Sequence, residues 1–176
     1  MPRHIIRPPD SSAPRYAKLV KKLVEGLKGD RVGVQPVILE TQIPATKSRH
    51  VRVIWDEWDR IDDEQRSLVI VEAYTKLEGE EAAEQITIAE GVTPIEALAL
   101  GLLPFKIVPT RKRDDSIPQE EYRKAHLGEA KNAVLGSRAE ELRYPLLEDA
   151  EAGVKRLRET LPGSHWSVVQ EVGYES

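Results

Sequence analysis

The sequence has no cysteine and a single phenylalanine. The first absence removes disulfides, thiolate nucleophiles, thiolate zinc sites and iron–sulfur ligation in one step, and it fits a reducing compartment. The second belongs to a general scarcity of aromatics, 5% of residues, so Leu, Val, Ile and Ala must supply most of any core. No apolar run approaches the roughly 20 residues that a membrane-spanning helix requires. The opening residues, MPRHIIRPPDSSAPR, carry basic side chains but no apolar stretch of signal-peptide length, so a soluble, cytoplasmic protein without membrane contact is expected. Neither G-x-x-x-x-G-K-[ST] nor G-x-G-x-x-G occurs, no serine sits in a nucleophile elbow, and none of the four histidines stands four residues from another. These absences point away from catalysis. No cofactor is expected.

What is present is clearest from His50 to Leu77, HVRVIWDEWDRIDDEQRSLVIVEAYTKL. Val51, Val53 and Trp55 alternate with Arg52, Ile54 and Asp56, the period of a strand with one apolar face. An acidic turn with a second tryptophan, Trp58, follows. Asp62 then suits a helix N-cap, with Gln65 three residues on as its capping-box partner. Val69, Ile70, Ala73, Tyr74 and Leu77 form one apolar stripe at helical spacing, and Gly79 suits the C-terminal cap. Strand, turn and helix here make a folding nucleus.

The rest of the chain arranges itself around this unit. Residues 1–13 read as an extended arm and 14–28 as a helix burying Tyr16, Leu19, Val20, Leu23, Val24 and Leu27. Val34 to Glu40 reads as a strand, Thr41 to Arg49 as its connection, and Gln85 to Ala89 as a further strand. Thr93-Pro94-Ile95-Glu96 opens a short helix, apolar on nearly every side and therefore expected to be buried. Phe105 to Val108 is another strand. The charged stretch 111–116 is the candidate boundary between a core domain over 14–110 and a C-terminal part, 117–176, which either extends the same domain or forms a second lobe. Within that part, Tyr122 to Ala133 suggests a helix interrupted at Gly128. Glu141 to Tyr144, Leu147 to Leu161 and Trp166 to Val172 then read as a β-α-β unit. The fold class is α+β, a mixed sheet with helices mainly on one face.

The order helix, strand, strand, helix, helix, strand over residues 14 to 108 is similar to the topology of type II KH domains and BolA-like proteins. Arg66, about ten residues after Asp56, faintly resembles the BolA pattern. The second arginine and the histidine of its helix-start motif are absent, since Glu64-Gln65-Arg66-Ser67 stands there, and no G-x-x-G lies between residues 77 and 95. The resemblance implies a fold order and carries no functional residue. The C-terminal β-α-β resembles half of a ferredoxin-like unit on the same footing.

Charge supplies the functional candidates. Residues 1–31 hold eight Lys/Arg against three Asp/Glu, leaving 18 against 27 in the remainder. Lys18, Lys21 and Lys22 on the first helix, with Arg111, Lys112 and Arg113, are the candidate basic contacts for nucleic acid; as a rule such lysines simply solvate a helix face. Asp56, Glu57, Asp59, Asp62, Asp63 and Glu64 crowd nine residues, but without an EF-hand's spacing, and Asp62 to Glu64 already serve the helix start. No metal is expected. Trp55 continues the apolar strand face, whereas Trp58, flanked by Glu57 and Asp59, has the better claim to exposure and to partner contact. His50 could act as a base only if the fold brought Asp56 or Glu57 to it. The leading expectation is a non-catalytic adaptor or assembly protein with a protein partner or self-association, its contact regions the acidic turn of Glu57, Trp58 and Asp59 and the basic N-terminal arm. A nucleic-acid-binding module is the alternative, and an enzyme whose site is dispersed in sequence the third.

Overall fold

The computed structural model describes residues 6–7, 14–26, 36–43, 45–110, 116–136 and 141–171. Its contacts group into two compact units, 1–93 and 94–176. The division falls just before the short apolar helix; the 111–116 stretch lies almost wholly outside the described residues. Helices combine with one mixed and one antiparallel sheet, an α+β fold.

In the first unit, β1 (Ile6–Arg7), β2 (Val37–Ile43), β3 (Ser48–Ile54) and β4 (Ile86–Val92) lie side by side in that order. β1 falls within the stretch read as an arm and pairs with β2, Ile6 opposite Thr41. β2 and β3 form an antiparallel hairpin, and β4 joins β3 in parallel after the crossover through α2 (Asp63–Glu78) and α3 (Glu80–Ala83). Lys47 takes a left-handed φ of 56° in the hairpin turn. β2 runs three residues past its expected end, so the connection between the strands is short.

α1 (Pro14–Gly26) and α2 cover one face of this sheet. Leu19 and Leu23 of α1 meet Ile70, Ala73 and Tyr74 of α2 over Ile38, Val51 and Val53. α2 begins as its sequence dictates, with the Asp62 carboxylate accepting the Gln65 N–H at 2.9 Å. The turn before it is a 3-10 segment, Asp56–Trp58. There the expected exposure of Trp58 is overturned: it is 0% exposed, donates its indole N–H to Val53 O at 2.9 Å and meets Trp55 edge-on. A large apolar ring gains more from this pocket than from an acidic surface. Gly91 of β4 makes room, since a Cβ there would lie 2.9 Å from Trp58 Cε2 and 2.8 Å from Arg66 Cβ.

The second unit starts with α4 (Pro94–Ala99). Pro94 and Ala97 are buried, but Ile95 is 64% and Leu100 57% exposed, contrary to the burial expected from composition. Six residues make fewer than two turns, too short a surface to bury on all sides. β5 (Phe105–Pro109) is the central strand of an antiparallel sheet, with β6 (Leu142–Tyr144) on one side and β7 (Trp166–Gln170) on the other. The C-terminal β-α-β is therefore split: β6 and β7 run parallel to each other with β5 between them. α5 (Gln119–Ala130) passes through Gly128 without interruption, and α6 (Leu147–Thr160) packs on the sheet. Ala150, Val154 and Leu157 of α6 close over Ile107, Leu142 and Trp166.

Candidate functional site

Two part-buried polar clusters come first, because dispersed enzymes build their sites from such groups. In the first unit, Glu40, Glu78, Arg15, Arg49 and Tyr74 meet where β2, β3, α1 and α2 converge. Arg15 donates Nε–H to Glu78 at 2.6 Å and Nη2–H to Glu40 at 3.0 Å. Arg49 donates to Glu78 at 2.8 Å and to Ala82 O at 2.9 Å. Both guanidinium groups flank the Tyr74 ring, and the Tyr74 hydroxyl donates to Glu40. Burial raises the Glu78 carboxyl, but the hydrogen bonds from Arg49 and Arg15 outweigh it and hold the group below its ordinary value. Burial, then the Glu40 charge, pushes the Tyr74 phenol far upward.

In the second unit, Glu129 of α5 is buried against α6 and β6. Arg156 donates to both its carboxylate oxygens, at 2.9 and 2.7 Å, and Tyr144 donates its hydroxyl to Oε1. Burial and then Glu129 raise the Tyr144 phenol as well. Each cluster balances its charges and saturates its carboxylates. The raised phenols keep Tyr74 and Tyr144 protonated, as hydrogen-bond donors to Glu40 and Glu129, and both clusters tie helix to sheet.

The described residues among the polar candidates lie on separate elements, Glu57 and Asp59 in the 3-10 turn and Lys18, Lys21 and Lys22 on α1. Glu57 is half-buried and Asp59 exposed beside the buried Trp58. Lys18 and Lys21 are exposed on α1, while Lys22, half-buried, donates to Glu25 at 2.8 Å. Arg111, Lys112 and Arg113 lie outside the described residues. Among the described residues no three His, Asp or Glu side chains converge as metal ligands. His50 sits in mid-strand opposite Thr41 and Ile88. From His50 to the end of β3 at Ile54 the strand advances about 13 Å, and Asp56 and Glu57 lie in the 3-10 turn beyond that end.

A groove of about 650 Å³ runs instead between α6 and the outer edge of β7. Its apolar lining comes from Leu147 and Val154 on the helix and from Trp166 and Val168 on the strand. Glu151, Lys155, Arg158 and Glu159 edge it at helical spacing. The stripe from Leu147 to Arg158 is about 16 Å long, the length of some five extended residues.

The strand side of the groove is set by the ladder. Thr110 N–H donates to His165 O at 2.9 Å and Glu171 N–H to Pro104 O at 2.8 Å, so those pairs, and every second pair between them, bond β7 to β5. Trp166, Val168 and Gln170 therefore turn their backbone groups to the other side, where no strand lies among the described residues. Arg158 reaches round to donate Nη2–H to Trp166 O at 3.0 Å. Trp166 is 5% exposed, its ring 5.9 Å from that of Tyr122, and its indole N–H has no hydrogen-bond partner among the described residues. Such an edge can take an extended chain: backbone donors and acceptors in a row, an apolar strip beside them and charges of both signs along the rim.

No family model, curated protein or solved structure matches this chain.

Proposed function

We propose that the protein is a non-catalytic interaction module that captures an extended segment of a partner protein. The segment adds to the outer edge of β7 and lays alternate side chains into the groove beside α6. One observation carries this reading: Val168 and Gln170 direct N–H and C=O groups outward along a groove lined by Leu147, Val154 and Trp166. Main-chain pairing supplies affinity largely independent of sequence, and the apolar lining selects the side chains.

The test is an NMR titration of the full chain with heptapeptides carrying valine, isoleucine or leucine at alternate positions. Binding should shift the Val168 and Gln170 amides and slow their hydrogen exchange. Gln170→Pro should weaken it at least tenfold, because proline removes an outward N–H and leaves the bonds to β5 in place. Shifts elsewhere with β7 unmoved, or undiminished binding by the proline variant, would overturn the reading.

A nucleic-acid reading rests on Lys18 and Lys21, exposed one turn apart on α1. Lys21 lies 4.0 Å and Lys22 2.8 Å from Glu25, which reduces the positive potential of that face. Titration with single-stranded oligonucleotides at two salt concentrations separates this alternative, since phosphate contacts weaken steeply with salt.

A further inference from the structure

Building on the strand-addition reading, we infer that the captured segment is a C-terminal tail whose terminal carboxylate seats on Arg158. The first step is direction. β7 bonds to β5 in antiparallel fashion, and antiparallel pairing is the more stable arrangement per residue. A segment added antiparallel to β7 runs from Gln170 toward Trp166, so its C-terminal end arrives beside Trp166.

The second step is the shape of that end. α6 and β7 are consecutive in the chain, joined by residues 161–165. The Ser164 hydroxyl and N–H both donate to Leu161 O, at 2.6 and 3.1 Å, which ties the connection into a tight turn. A chain lying between helix and strand runs into this connection. A segment that stops there fits; one that continues has to climb out of the groove.

The third step is charge. Arg158 stands at this end, with its guanidinium already on Trp166 O. That bond uses one of the five N–H donors of a guanidinium, and the planar fork that remains matches a carboxylate. Lys155 adds a second cation one turn back, offset in part by Glu159 at 3.9 Å. Glu151 lies seven residues before Arg158, about 10 Å along the helix. The rim is thus positive where the C-terminus arrives and negative farther back. Arg158 also counters the negative end of the α6 dipole, which alone would repel a carboxylate.

The experiment measures fluorescence anisotropy of the full-length protein with N-terminally fluoresceinated heptapeptides of alternating valine and threonine, in three forms. One has a free C-terminal carboxylate, one a C-terminal amide, and one an internal aspartate followed by two glycines and an amide. Wild type, Arg158→Gln, Arg158→Lys and Gln170→Pro are compared, each checked for native circular dichroism. The free acid should bind at least tenfold tighter than the amide. Arg158→Gln should abolish that difference while keeping amide binding, Arg158→Lys should restore part of it, and Gln170→Pro should weaken every form. Equal binding of acid and amide, with Gln170→Pro still disruptive, overturns the carboxylate inference and leaves strand addition standing. Binding of the internal aspartate form as tightly as the free acid overturns the choice of a chain terminus. No binding of any form by wild type removes both the inference and the reading beneath it.

Discussion

Gly128 and Gly153 both sit inside helices of the second unit, and alanine at each should move stability in opposite directions. A Cβ at Gly128 meets nothing within 4 Å. Gly128→Ala should therefore show only the helix-propensity gain, about 0.5–1 kcal/mol. A Cβ at Gly153 would lie 2.8 Å from Glu129 Oε1, 2.8 Å from Ile107 Cδ1 and 3.0 Å from the Tyr144 hydroxyl. The Ile107 methyl can rotate away. The Glu129 oxygen is held, because Arg156 binds both carboxylate oxygens and Tyr144 donates to the one in question. Overpacking of this kind costs about 1–3 kcal/mol, against a propensity gain of about 1 kcal/mol. Loosening the bonds that satisfy the buried Glu129 carboxylate adds to the loss. The net expectation for Gly153→Ala is a loss of about 1–2 kcal/mol. Urea unfolding followed by the Trp166 indole resonance reports on the unit that contains both glycines. A Gly153→Ala protein as stable as wild type would refute the reasoning, and so would a Gly128→Ala protein that unfolds earlier.

Three further outcomes follow from the first unit. Gly91→Ala should cost about 2–3 kcal/mol, because the new methyl meets Arg66 Cβ and Trp58 Cε2, neither at the end of a flexible chain; chemical denaturation measures it, and an unchanged midpoint would disprove the contact. Asp62→Ala should cost about 1 kcal/mol through the lost bond to Gln65 N–H, read in the same way. The third concerns acid. Glu78 ionises more readily folded than unfolded, so its stabilising contribution is complete above its ordinary value of 4.5 and fades as pH falls through the lower folded value. Glu78→Gln should remove part of the acid sensitivity below about pH 4.5, and a pH–stability profile parallel to wild type would count against the cluster's role.

The parts of the fold legible in the sequence are those whose cause is local. Alternation from Val51 to Trp55, the stripe from Val69 to Leu77 and the cap at Asp62 each depend on neighbours a few residues away, and each is realised. The burial of Trp58 is not legible locally, because Glu57 and Asp59 flank it in sequence while Trp55, Val53 and Gly91 surround it in space. The buried Arg66 had the same disguise: it donates to Ile61 O and Gly91 O, partners that no helical pattern reveals. α4 failed the other way, since apolar composition without length does not secure burial. The groove was invisible because it depends on which strand is at an edge. Every strand of the second sheet was recognisable as a strand, but nothing local marks β5 as the centre and β7 as the rim.

The central position of β5 also has a consequence for how the chain finds its structure. β2 and β3 are separated by four residues, 44–47, so the first sheet holds a hairpin that can form early. Among the described residues the second sheet has none: β5 must wait for β6, with 32 residues between them, and for β7, with 56. Closing a 56-residue loop rather than a four-residue one costs about 2 kcal/mol more in chain entropy, on the order of a 50-fold slower search. On a ribosome the delay is longer, because β7 is synthesised 56 residues after β5. The outer edge of β7 is thus made after the rest of its sheet, and until β7 pairs, β5 itself is an open edge.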